Sequence, residues 1–199
     1  MSKAIEGRDG PTLGIYSSND MFEKLKFESI RLQNDWHNSY NTFNFLVTAW
    51  HLFHDWPESD ARLNPSRIKR QPNQCPPEMR FVLDIVRDLV NGSKHFTLEP
   101  KAAQKRRITE VHTGNEVGWY QFFFQEKLPG VTVETNWYFS IRVLHNLVMK
   151  YFEWAFDDTK PAKDFPIDLL EAILYCNIAK RTGKVSPAVS DILGEVIIK

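Results

Sequence analysis

The sequence predicts a mainly helical α+β chain. It reads as a helical bundle with an inserted three-stranded antiparallel β-meander and a C-terminal helical extension. Three observations predict this. Apolar residues recur at helical spacing over residues 20–95 and again from 139. Between 106 and 138 the period changes and Val, Ile, Thr and aromatic residues take over. Prolines and glycines fall at the joints between these stretches. The predicted organisation is an arm at 1–18, the bundle at 19–158 with the meander at 106–138 inside it, and the extension at 159–199.

The arm is rich in Gly and small polar residues, including Gly7, Gly10, Gly14 and Ser17. Asn19 and Asp20 are candidate caps for a first helix over 20–37, with Phe22, Leu25, Leu32 and Trp36 on one face. A second helix over 40–56 stops at Pro57. It is apolar on most sides, as a central buried helix is. Its polar residues Asn44, Thr48, His51 and Asp55 draw one stripe along a single face. Pro76 and Pro77 open a third helix, whose inward residues are Phe81, Val82, Ile85, Val86 and Leu89. Strands are predicted at 106–113, 117–126 and 131–138, joined by the turns at 113–116 and 128–130. An aromatic edge at Phe122–Phe124 calls for cover by a helix or a partner. A fourth helix over 139–156 turns Val143, Leu144, Leu147, Val148, Tyr151 and Phe152 inward. A fifth over 167–182 ends at Gly183, and a short sixth starts at Pro187.

The chain is 42% hydrophobic and 13% aromatic, enough to bury a core. Its 25 Lys and Arg balance 25 Asp and Glu, which excludes a globally cationic nucleic-acid binder and leaves only local basic patches. Cys75 and Cys176 stand far apart with no CxxC pair, so neither a zinc ribbon nor a redox motif is indicated, though one disulfide fits the count. Residues 1–16 contain no apolar run of signal-peptide length, and no stretch is apolar enough to span a bilayer. The expectation is a cytoplasmic protein with no membrane partner and no cofactor.

Four constellations could carry chemistry. Arg87, Asn91 and His95 lie four residues apart in a row, with Lys94 beside them. Arg would grip a phosphate, Asn would orient it, and His would move the proton of a 2′-hydroxyl. The same row also reads as the solvated face of an amphipathic helix. The Asn44–Asp55 stripe needs polar partners, either a structural network or the Arg87–His95 row itself. His51, His54 and Asp55, with His95 or His145, would sketch a metal site, although no paired-ligand motif is present. Lys94, Lys101, Lys105, Arg106 and Arg107 form a basic cluster for a nucleic-acid backbone, near aromatics such as Trp119 and Tyr120.

Residues Val90-Asn91-Gly92-Ser93-Lys94-His95, late in the third helix of a bundle, resemble the Arg-x(4–6)-His segment of HEPN-domain proteins. The match departs at Val90, where that family often carries the Arg, and Arg87 stands seven residues before His95. The resemblance implies a small helical bundle that acts on or binds RNA, commonly as a homodimer. It implies a metal-independent or degenerate ribonuclease of a defence or toxin type. Arg87, Asn91 and His95 would then be catalytic, His51 and Asp55 would assist, and a 2′,3′-cyclic phosphate would be the product. His51, His95 and His145 on three helices also resemble the DinB-like metal-binding bundles. A non-catalytic protein–protein interaction module and a small metalloprotein are the other readings open at this stage.

Overall fold

The computed structural model describes residues 13–56, 75–94, 107–115, 127–134, 136–157, 159, 165–180 and 186–194. Helix α1 spans Ser18–Asn34 and starts at Ser17 rather than at Asn19 or Asp20. The reason is a capping box. Ser17 Oγ accepts the Asp20 N–H at 3.1 Å, and the Asp20 carboxylate accepts the Ser17 N–H at 2.9 Å. Helix α2 spans Ser39–His54, and Asn38 Oδ1 caps it by accepting from Tyr40 and Asn41. Helix α3 spans Pro77–Lys94 and runs straight through Gly92, which therefore does not terminate it. Helix α4 spans Ile141–Ala155, capped by Ser140 Oγ on the Val143 N–H. Its predicted inward residues are all buried.

Strands β1 (Ile108–His112), β2 (Gly130–Val133) and β3 (Trp137–Ser140) form an antiparallel sheet in the order β1-β2-β3, so the meander topology holds. Its strands are placed differently from the sequence expectation. The stretch 131–138, read as one strand, is a hairpin whose two arms pair Val133 with Trp137. The chain reverses at Glu134, which takes a positive φ of 53°. That conformation is uncommon for a residue with a Cβ, and no glycine announces it. The predicted strand at 117–126, with its edge at Phe122–Phe124, lies outside the described residues.

Helix α5 (Ile167–Tyr175) stops well before the expected Gly183. The chain leaves the helix to pair with β3. Tyr138 N–H donates to Cys176 O at 3.1 Å and Ile178 N–H to Asn136 O at 2.8 Å, so the outer edge of β3 is covered. A short 3₁₀ turn (Ile178–Lys180) follows, and α6 (Pro187–Leu193) ends on Gly194 in the left-handed region at φ 68°. The C-terminal helices put Leu169, Ile173, Val189, Ile192 and Leu193 into the same apolar cluster as Leu25, Phe45, Val86 and Leu147. Arg142 of α4 donates to Gly194 O at 2.6 Å, and Asn146 donates to Ile192 O at 2.8 Å, fastening α6 to α4. Both cysteines are buried, and neither forms a disulfide. Among the described residues no helix is long and apolar enough to cross a membrane.

Candidate functional site

Within the α3 row, Arg87 pairs with carboxylates of its own helix. Arg87 donates to Asp84 at 2.8 Å and to Asp88 at 3.1 Å. Asp88 is buried, and its second oxygen accepts the Arg107 main-chain N–H at 3.0 Å, just before β1. The Arg107 guanidinium lies 3.7 Å from both Asp84 and Glu134 and 5.1 Å above the Phe81 ring. Two guanidinium groups thus meet three carboxylates, and the cluster carries one net negative charge. Such a cluster latches a helix to a strand and repels a phosphate. A phosphate held by Arg87 and Arg107, as expected from the sequence, would compete with these carboxylates. Asp88, next to Arg87 on this helix, reaches the residue before β1.

The α2 stripe makes its bonds elsewhere. Thr48 is buried and accepts from Lys24 Nζ of α1 at 2.8 Å, and the same ammonium pairs with Glu28 at 2.8 Å. Asn44 is exposed. His51 Nδ1 hydrogen-bonds one oxygen of Asp55, and His54 Nδ1 bonds the other at 2.6 Å. Burial opposes the Asp55 charge, but the bonds from His54 and His51 outweigh it and hold the carboxyl below its ordinary 3.8. The stripe's bonds run to α1 and along its own last turn, while those of Arg87 stay within α3. The two rows therefore do not assemble one site through these contacts. His95, Lys101, Lys105 and Arg106 lie outside the described residues, as do 116–126. Asn91 is half-buried on α3, and Lys94 is that helix's last residue.

His145 makes hydrogen bonds through both ring nitrogens. It is buried, with Ser29 Oγ 2.7 Å from Nε2 and Asn146 Oδ1 2.8 Å from Nδ1, so both ring nitrogens are occupied. Among the described residues no group of three or more His, Cys, Asp and Glu side chains is placed to hold a metal ion.

The feature that sequence reasoning missed is a cavity of about 380 Å³ between the start of α2, the end of α3 and the face of the sheet. Thr42 and Leu46 line it from α2, Val90 and Ser93 from α3, and His112 and Val131 from the sheet. Two glycines shape this wall. At Gly114, φ is 84°, and a Cβ would meet the Leu128 carbonyl carbon at 2.5 Å, so the turn after β1 can close onto 128–129 only with glycine. At Gly130 a Cβ would meet Tyr138 Oη at 2.5 Å and Phe139 O at 2.9 Å. His112 is buried on the sheet, its Nε2 2.7 Å from Thr132 Oγ1 of the next strand. The only sequence trace of this wall is the Ile108/His112 spacing. Even that is disturbed, because the register shifts between Ile108 and Glu110.

Comparison with family models, with curated proteins and with solved structures finds no match for this chain.

Proposed function

We propose that this chain is a binding protein that receives a small organic molecule in the cavity between α2, α3 and the sheet. The observation that carries this reading is the hollow itself. A mainly apolar hollow of about 380 Å³, with a few polar groups at its walls, has the size and make-up of a ligand pocket. The charged groups of α3 support the same reading from the other side, because they tie helix to strand and leave the pocket walls uncharged. The expected outcome of a methyl NMR titration with small aromatic fragments is joint movement of the Leu46, Val90, Val131 and Ile141 signals. Ser93→Trp, a bulky change at an exposed wall position, is expected to suppress that movement while leaving the fold's other methyls in place. A fragment set that moves none of these four signals overturns the reading.

An RNA-directed role is a second proposal, favoured by one observation. Val90 and Ser93 bring the last turn of α3, with Asn91 and Lys94 in it, to the cavity. In that role the cations would come from Lys94, Lys101, Lys105 and Arg106, since Arg87 is already paired with two carboxylates. Cleavage of single-stranded RNA that persists in EDTA and disappears in His95→Ala is the expected result for a ribonuclease. Wild-type protein that leaves the RNA intact removes the nuclease reading.

A further inference from the structure

The geometry points to a neutral hydrogen-bond donor as the cavity's ligand: a compact aromatic or alicyclic molecule carrying an N–H or O–H and no formal charge. This inference rests on the binding role proposed above and names the chemistry of that site.

The first argument is charge. Among the described residues no Asp, Glu, Lys or Arg lines the cavity, and the ionisable ones that do are His37 and His112. Moving an ionised group out of water without a partner charge is strongly unfavourable. His37 stands exposed, and His112 Nε2 is already bonded to Thr132. The start of α2 is a weak anion site as well, because Asn38 Oδ1 already accepts from the Tyr40 and Asn41 amides.

The second argument is the direction of the hydroxyl bonds. Thr42 Oγ1 donates to Asn38 O at 3.1 Å, and Ser93 Oγ donates to Leu89 O at 2.8 Å. A carbonyl oxygen can only accept, so each hydroxyl proton is committed to its own helix. What remains on both oxygens is acceptor capacity. Ser93 also stands in the last turn of α3, where the helix ends in outward-pointing carbonyls and partial negative charge. Thr42 and Ser93 thus offer acceptors from two sides, which suit a ligand donor, while Ser39, Thr113 and Asn115 complete an uncharged polar lining.

Four probes of one shape test this: indole, 1-methylindole, indole-3-acetate and tryptamine, each titrated while the Leu46, Val90, Val131 and Ile141 methyls are followed. Indole is expected to bind. 1-Methylindole, which lacks the N–H, is expected to bind about tenfold more weakly, the worth of one good hydrogen bond. The two charged analogues are expected to bind at least tenfold more weakly than indole. Thr42→Val or Ser93→Ala is expected to bring indole toward the affinity of 1-methylindole, while 1-methylindole itself is unchanged. Equal binding of indole-3-acetate or tryptamine, or of 1-methylindole, at the same methyls overturns the neutral-donor inference and leaves the binding role standing. If none of the four moves these methyls, the neutral-donor inference falls, and the wider fragment set decides the binding role.

Discussion

Between about pH 6.5 and pH 4 this protein is expected to lose roughly 3 kcal/mol of folding stability through His145 alone. Burial pushes this imidazole down from 6.5 to about 4, only partly offset by its bond to Asn146. Its surroundings explain why it stays neutral. The Trp36 edge and the Phe45 ring lie 5.2 and 4.8 Å from it, and its two polar contacts are Ser29 and Asn146. Asn146 also sets the tautomer. Its amide nitrogen donates to Ile192 O, so its oxygen faces His145 and accepts from Nδ1–H, leaving Nε2 to accept from Ser29. The folded pKa lies below the unfolded one. In that window the unfolded chain therefore binds the extra proton, and stability falls as pH drops from about 6.5 to about 4, then levels. Urea unfolding at several pH values measures the slope, and His145→Gln is expected to flatten it over this range. Equal slopes in the two proteins would show that His145 is not the group responsible.

Asp88→Ala is expected to cost about 2–3 kcal/mol, because it strips a hydrogen-bonded carboxylate from a largely buried position. Two partners lose it at once, the Arg87 guanidinium at 3.1 Å and the Arg107 main-chain N–H at 3.0 Å. The Arg87 side chain is about one-third exposed, so water takes over part of its lost pairing, which keeps the figure below that of a fully buried ion pair. Asp88→Asn retains an acceptor for the Arg107 amide and is expected to lose less. Hydrogen exchange locates the damage: faster exchange at Arg107 and along β1 accompanies the loss if Asp88 fastens that strand. A wild-type exchange pattern at β1 in Asp88→Ala would refute the latch.

Much of the fold was legible in residue order. Helix α4 and its six inward residues follow from apolar spacing, and Pro77 and Pro187 open α3 and α6 where proline is tolerated. Boundaries slipped where two local signals competed. Asn19 and Asp20 are good caps in isolation, yet Ser17 and Asp20 together satisfy two amides and win. The run 131–138 contains strand formers throughout, so its reversal at Glu134 left only Asn136 as a turn signal. Helix α5 ends early because the edge of β3 offers hydrogen bonds to residues 176–178, a contact between segments some forty positions apart.

The candidate site was less legible, and for a different reason. Spacing showed that Arg87 and Asn91 share one face of α3, and that Thr48, His51 and Asp55 share one face of α2. It could not show how each helix is rotated about its axis. That rotation follows from which apolar side chains interlock, and it turned Asp88 toward the residue before β1 and Thr48 toward α1. The cavity lies further still from anything a linear pattern holds. It is bounded by Thr42, Val90, Ser93, His112 and Gly130, none of them unusual in its own segment. Periodicity and capping act between residues within a turn of one another, so they are written locally. An unfilled volume is what remains after distant elements have packed, and only their final arrangement in space creates it.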